Sequence, residues 1–310
     1  MPCKRCKTSP VITLQSGNQP CKNCFIKYFE KKVGKTIREH KLVEKNDKVA
    51  IAVSGGKDSL TILSILHNLS LRKKDFEVFA ILIDEGISGY RDKTRIDAEE
   101  FCKKNDIKLN VFSYKDELGA PLDEIIKKTG ISGCTVCGIM RRSMLNIAAR
   151  KLGATKLATG HNLDDEAQSV LMNYMRNNME VTARLGPITG IKRDKQFIRR
   201  IKPLYFMPEK EVTAYSFLKE LLGKYSECPY ADQSYRNDVR DLLNGFEQKH
   251  PGTKYAIIAS FMEILPTLKE KYAQESGKIN HCPKCEEPTS GIICKRCQLV
   301  AQIKEKLAKS

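Results

Sequence analysis

The sequence predicts an α/β protein: a parallel sheet with helices on both faces, flanked by two small cysteine ribbons. Three observations carry this. Short apolar runs alternate with stretches of helical spacing between residues 48 and 179, the pattern of βαβ units. The first such run leads into a Gly-rich turn and then a helical pattern. Each end of the chain holds two C-x-x-C pairs in a segment too short to build a core of its own.

The elements follow in order. The first ribbon reads C-x2-C-x14-C-x2-C over Cys3, Cys6, Cys21 and Cys24. Four soft ligands in two knuckles match a closed tetrahedral zinc site. Bound metal would supply much of the folding energy, with iron or a disulfide as the alternative. Residues 1–40 are read as this ribbon and a basic linker. Residues 41–275 are read as one larger α/β unit. In it, 48–53 (KVAIAV) is a strand, 60–71 a helix, 78–83 a strand, 91–104 a helix and 109–112 a strand. An amphipathic helix spans 140–152, a short strand 156–159, and one long helix 163–179. Beyond residue 185 the pattern weakens, with helices expected over 208–222 and over 255–272, the latter interrupted at Pro266. Residues 276–310 carry the second ribbon, C-x2-C-x8-C-x2-C over Cys282, Cys285, Cys294 and Cys297.

Composition bounds the function. The 310 residues are 41% apolar, enough for a sizeable core. No apolar run approaches the ~20 residues of a membrane span, and no hydrophobic stretch follows the basic N-terminus. A cytoplasmic protein with no membrane partner is expected. Of 12 cysteines, ten lie in five C-x-x-C pairs, a pattern that favours metal over disulfides in a chain without a secretory signal. The formal charge of +17 suits a polyanion such as nucleic acid. Two zinc sites of four thiolates each would lower it by about 2 apiece.

Ligands of parallel sheets bind at the carboxyl ends of strands, and chemistry-bearing residues gather there. Ala52 and Val53 end the first strand, and Ser54-Gly55-Gly56-Lys57-Asp58-Ser59 opens the next helix. The glycines allow a tight turn with amides aimed at phosphate, the serines add hydroxyl donors, and the helix N-terminus adds positive potential. An ordinary strand–helix turn is the plain alternative. The loop is not a Walker A motif. Ile83 and Asp84 end the next strand; the Asp84 carboxylate is read equally as a ligand or as a cap. A third strand end carries Thr159-Gly-His-Asn-Leu-Asp-Asp-Glu-Ala-Gln168. Gly160 permits close backbone approach to a ligand. Of Asp164 and Asp165, about 100° apart on a helix, one is read as holding Mg²⁺ or orienting a base and the other as a cap. His161 is a lesser candidate.

Cys134, Cys137 and Cys228 remain. They fit a third zinc site, a redox pair carrying persulfide, or three ligands of a [4Fe–4S] cluster with one iron open. Residue chemistry leaves the three open. Cys102, on a helix, is read as a core residue.

The loop Ser54–Ser59 resembles the PP-loop of ATP pyrophosphatases, which split ATP between the α and β phosphates and adenylate a substrate. With the two ribbons, C-T-V-C-G and T-G-H-N-L-D-D in this order, nearly the whole chain resembles the two-thiouridine synthetases of the TtuA type and the cytosolic wobble-uridine thiolases. The resemblance implies a Rossmann-like PP-loop fold. It places ATP and Mg²⁺ at residues 52–59, with the Ile83 backbone against adenine and Gly160 and Asp165 beside the nucleotide. It makes Asp165 catalytic and gives Cys134, Cys137 and Cys228 a [4Fe–4S] cluster. It also implies tRNA as substrate, with sulfur from free sulfide or a ubiquitin-like thiocarboxylate carrier, and a homodimer. Where the TtuA branch has a catalytic lysine, this chain has Arg141, followed by Arg142, which points to the wobble-uridine branch. The cluster thiols are expected as thiolates, favoured by the helix N-terminus and both arginines. Basic residues 27–41 and 192–202 are expected to grip tRNA phosphates. A lysidine-type ligase would need no central cysteines. A 2-thiocytidine synthetase would lack paired ribbons, and a non-catalytic zinc-ribbon protein would need no phosphate loop.

Overall fold

The computed structural model describes residues 2–192, 194–221, 228–230, 235–275 and 279–308. Helix α1 (Lys22–Glu39) opens the fold inside the stretch expected to be a linker. Its buried residues Phe25, Phe29, Val33 and Ile37 recur every fourth position and so form one stripe. Burying four such side chains contributes about 1.5–3 kcal/mol each before conformational entropy is counted. Lys27, Lys31, Lys35 and Arg38 lie on the outer face.

Then come β1 (Lys48–Val53), α2 (Lys57–Lys73), β2 (Glu77–Asp84), α3 (Arg91–Lys104) and β3 (Leu109–Ser113). Next are α4 (Tyr114–Leu118), α5 (Leu122–Thr129), α6 (Gly133–Lys151) and β4 (Lys156–Ala158). They are followed by α7 (Leu163–Met175), α8 (Met179–Ala183), β5 (Arg199–Ile201) and α9 (Glu209–Leu218). Helices α10 (Tyr235–Lys249) and α11 (Thr253–Glu275) precede a hairpin of β6 (Asn280–His281) and β7 (Pro288–Thr289), and α12 (Lys295–Ala308) follows it.

The main sheet has the order β3-β2-β1-β4-β5, and every pairing in it is parallel. The chain runs outward from β1 to β3, then returns to the other side of β1 with β4. The switch point therefore lies between β1 and β4, where the following loops diverge and open a crevice. Strand residues alternate between two cores. Val49, Ile51, Leu82 and Ala158 pack with α1, α2 and α9. Phe79, Ile81, Ile83 and Leu157 pack with α5, α6 and α12. A third core joins α7, α10 and α11.

Four expectations are corrected. The helix expected from 140 begins at Gly133, so Cys134 and Cys137 lie in its first turns. The helix expected over 163–179 breaks after Met175, where Asn177 takes a left-handed φ of 52° that asparagine tolerates better than most residues. Helix α11 runs unbroken through Pro266, because Ile258, Phe261 and Leu265 are buried along the same face. That burial offsets the ~3 kcal/mol that a proline costs inside a helix. The helix expected over 208–222 stops at Leu218.

Candidate active site

The phosphate loop is shaped by its own hydroxyls. The Ser54 amide donates to Ser59 Oγ at 3.1 Å, and Ser59 Oγ donates to the Gly56 carbonyl at 2.9 Å. Gly55 has φ +81°, and a Cβ there would sit 1.9 Å from the Thr94 carbonyl oxygen, so only glycine fits. Lys57 Nζ donates to Asp58 at 2.9 Å and to Glu209 at 3.0 Å. Burial opposes its charge, but these two carboxylates outweigh it and push its pKa up to about 12. Ala52 and Val53 sit at the strand end with Val53 buried, and Ile83 is buried at the end of β2. Asp84 accepts from the Gly86 amide at 2.9 Å and pairs with Arg95 at 3.1 Å, so its carboxylate caps the turn.

The turn after β4 meets this loop across the switch point. Asn162 Nδ2 donates to Asp58 at 3.2 Å. Gly160 lies so close that a Cβ would stand 3.1 Å from the Ser59 nitrogen, so this glycine lets the two loops touch. Asn162 caps α7, accepting from the Asp164 and Asp165 amides at 3.0 and 3.1 Å. Asp165 Oδ2 accepts in return from the Asn162 amide at 3.1 Å, completing a capping box.

The paired aspartates divide their work. Asp164 accepts from the Glu209 amide at 2.7 Å and from Lys254 Nζ, tying α7 to α9 and α11. Asp165 Oδ1 faces Arg236 Nη1 at 3.3 Å. Burial in the crevice raises the Asp165 pKa to about 6, against the pull of Arg236 and the Asn162 amide and with help from Asp58 and Glu166. His161 is exposed, and its Nδ1 lies 2.9 Å from Thr159 Oγ1. Desolvation within the crevice walls, then Lys202, Arg236, Arg200 and Arg141, push its pKa down to about 3, so it is neutral.

The central cysteines approach from α6 and from residues 228–230. Cys134 Sγ donates to the Tyr230 carbonyl at 3.1 Å, and Tyr230 Oη donates to Asp123 at 2.7 Å. Cys137 Sγ lies 4.0 Å from Glu85 Oε1, and Arg141 Nη1 lies 3.6 Å from the same oxygen. Cys228 packs against the same core as Cys137 and Tyr230. The three sulfurs are not drawn to within 4.8 Å of one another, unlike the terminal sets. Burial raises the Cys137 pKa, against the pull of the Arg141 charge and with help from Glu85. Cys102 is buried in the core, where burial lifts its pKa to about 11.

Sequence reasoning passed over Glu85, Arg91 and Arg236. Glu85 follows a strand end directly, and that position was its signal. Arg236 lies on α10, far along the chain, and nothing local marks it. Lys202, read as a surface cation, is instead buried with both Glu166 oxygens at 2.7 and 2.8 Å. Lys32, within the basic stretch 27–41, donates to Tyr255 Oη at 2.5 Å.

At the two ends, Cys3, Cys6, Cys21 and Cys24, and Cys282, Cys285, Cys294 and Cys297, bring four sulfurs each within 4.8 Å. Backbone amides aim at these sulfurs. Those around Cys282, with neighbouring thiols, bring its pKa down to about 6 although burial opposes them. A hydroxyl hydrogen bond from Thr8 and the Cys24 amide do the same for Cys21. Their partners move the other way: the neighbouring Cys6 thiol and burial push Cys24 up to about 12, and burial raises Cys285 and Cys297, so a bound cation is what would let all four sulfurs of a set ionise. The second ribbon is anchored to α6: Arg150 Nη1 lies 2.5 Å from Glu287, and Asn146 Nδ2 donates to Glu287 at 2.7 Å.

Comparison with known proteins gives this arrangement its family. Residues 26–244 match the PP-loop domain. The chain is 36% identical to the tRNA 2-thiolation protein NcsA of Haloferax volcanii, over 98% of this chain and 99% of that one. It is 35% identical to the cytoplasmic tRNA 2-thiolation protein 1 of Dictyostelium discoideum, over 99% of this chain and 85% of that one. Its structure matches the U34-tRNA thiolase NcsA of Methanococcus maripaludis, solved with its [4Fe–4S] cluster. That match has a TM-score of 0.80 at 35% identity and covers 96% of this chain and 95% of the other. The chain therefore belongs to the PP-loop family and, within it, to the tRNA 2-thiolation proteins.

Proposed function

We propose that this protein is an ATP-dependent tRNA sulfurtransferase that converts the wobble uridine to 2-thiouridine. One observation carries the reading. The Asp165 turn meets the phosphate loop through Asn162 and Asp58, while Cys137 and Arg141 face Glu85, whose partner Arg91 grips the same loop. ATP lies with its phosphates on the amides and hydroxyls of Ser54–Ser59. The uridine C2 oxygen attacks the α-phosphorus, pyrophosphate leaves, and the base carries AMP on oxygen. Sulfur supplied at the cysteine centre then attacks C2, the C–O bond breaks, and AMP departs. Arg141, beside Cys137 and half-exposed to the crevice, stabilises the charge developing on phosphate. Neutral His161 can accept or donate a hydrogen bond without adding charge.

The residues suit the cofactors. Asp58 and Asp165 repel one another across the loop contact, and a Mg²⁺ ion between nucleotide and carboxylates would relieve this. Cys134, Cys137 and Cys228 supply three thiols, the number that leaves one iron of a [4Fe–4S] cluster without a protein ligand. When bound, such a cluster supplies an open position at which hydrosulfide can coordinate. The two four-cysteine sets suit structural zinc. The donor is free sulfide or a thiocarboxylated carrier, and the site of action is the cytoplasm, as the name of the Dictyostelium relative states for that protein.

The decisive assay incubates a tRNA transcript with the protein, MgATP and sulfide under anaerobic conditions, then digests it for nucleoside mass spectrometry. A product 16 Da heavier at the wobble uridine is expected, and an unchanged transcript would refute the reading. Three further outcomes follow. Cys282→Ser should release about one zinc and loosen the C-terminal ribbon while ATP still binds; unchanged zinc by metal analysis would contradict the site. Affinity for tRNA should fall ~10³–10⁵ between 50 and 200 mM salt if six to ten phosphates are neutralised. The exposed cations of α1, Lys27, Lys31 and Arg38, are candidates for these contacts. A flat salt profile in a filter-binding titration would count against an RNA surface. The kcat/KM profile for ATP reports on the free enzyme, and its acid limb should lie near pH 6, where raised Asp165 loses its charge. A limb near pH 4, the ordinary carboxylate range, would mean that Asp165 is not raised in the free enzyme or is not the group that must ionise.

A further inference from the structure

Glu85 and Arg91 form the most deeply buried ion pair near the crevice, 1% and 2% exposed, with Arg91 Nε 2.5 Å from Glu85 Oε2. Removing two charges from water costs several kcal/mol per ion, so burial of the pair is weak evidence that it serves stability. Each partner also reaches further. Arg91 Nη1 donates to the Ser54 carbonyl at 2.7 Å, gripping the first peptide of the phosphate loop. It also donates to Thr94 Oγ1 at 3.2 Å, in the turn whose carbonyl closes over Gly55. On the other side, Glu85 Oε1 is not taken by Arg91. It faces Arg141 Nη1 at 3.6 Å and Cys137 Sγ at 4.0 Å. The Glu85 carbonyl accepts from the Leu122 amide at 2.8 Å, so the residue is also held through its backbone.

We propose that Glu85 is a positioning residue that holds Arg141 and Cys137 in register with the phosphate loop, through Arg91. This rests on the proposed thiolation. The reaction has two steps on one base, adenylation over the loop and sulfur attack from the cysteine side. A shift of about 1 Å between the two halves would spoil the second step even with substrates bound. Nucleotide phosphates seated on the loop fix the Ser54 peptide, hence Arg91, hence the carboxylate that faces Arg141 and Cys137.

Glu85→Gln separates the two sides of the residue. The amide oxygen can still accept from Arg91 Nε, while the amide NH₂ turns a donor toward Arg141 and removes the negative charge. The variant should keep its KM for ATP and its Kd for tRNA within about twofold and lose on the order of 100-fold in kcat. Glu85→Asp, which keeps the charge, should recover part of that loss. A second readout needs neither iron nor turnover. In cluster-free wild-type protein at fixed pH, α,β-methylene-ATP should change the iodoacetamide labelling rate of Cys137 by about fivefold, a typical coupling between linked sites. In Glu85→Gln the same analogue should leave that rate unchanged. If Glu85→Gln does not fold, Arg141→Met breaks the same contact from the half-exposed side and should also abolish the nucleotide response. An equal response in the variants, or none in the wild type, overturns the proposal. Failure of the wild-type protein to thiolate any tRNA would refute the functional reading instead, and the labelling result would still decide the role of Glu85.

Discussion

Cys228→Ser is expected to lose bound iron and thiolation together, with both terminal metal sites still filled. Cys134 and Cys137 stand in the first turns of α6, while Cys228 arrives from a distant part of the chain. Two thiols one helical turn apart cannot by themselves hold a four-iron cluster. The serine should cut turnover at least ~10²-fold, because sulfur would no longer be held at a fixed position beside the adenylated base. Protein purified in air should be inactive but retain zinc, and anaerobic reconstitution should restore iron and activity to the wild type only. Iron and zinc analysis alongside nucleoside mass spectrometry reads all of this. Full-rate thiolation by iron-free protein supplied with sulfide would mean that hydrosulfide attacks the adenylated base directly, without a cluster, and the cluster reading would fail.

The second large effect is at Asp165. Asp165→Ala removes two things at once: the carboxylate facing Arg236 and the return bond of the capping box. Loss of that return bond, with the Asn162 cap kept, costs about 1 kcal/mol or less of stability. Loss of the charge should cost ~10²–10⁴ in kcat if the carboxylate orients metal or base. Asp165→Asn tells the two apart, since an amide oxygen can still accept from the Asn162 amide. It should keep the melting temperature within a few degrees and still lose turnover. Asp164→Asn should do the reverse, because Asp164 is committed to Lys254 and the Glu209 amide. Near-wild-type turnover in purified Asp165→Asn would remove it from the mechanism.

How far these sites were legible depended on whether their signal was local. The sheet was readable because β1, β2 and β4 are apolar runs that end at loops with unusual chemistry. Strand β5 was not, since three residues with two arginines carry no strand pattern and are defined by pairing with β4 and a bridge to Ile188. Helix α1 was missed for another reason. Its lysines drew the reading toward charge, although Phe25, Phe29, Val33 and Ile37 kept a helical period throughout. The phosphate loop and the Asn162 cap are contiguous in sequence and were read from it. The loop is joined to Cys137 through Arg91 and Glu85, and Asp165 meets Arg236 of α10, residues from separate elements that only the folded chain brings together.

Helix α12 adds a constraint on how the protein comes into being. Leu299 and Ile303 on that helix are buried in the core that carries Val136, Met140 and Leu145 of α6. Lys306 Nζ donates to the Thr129 carbonyl at 2.7 Å at the end of α5. The apolar flank of the cysteine-bearing helix is thus closed by a segment that the ribosome makes well after α6 itself. Until α12 emerges, that flank stays open to water and to other nascent chains. Loading of iron onto Cys134 and Cys137 before release would therefore take place on an unfinished wall. A truncation meant to delete only the second ribbon would strip the same wall, and its loss of activity would report misfolding rather than lost RNA contacts.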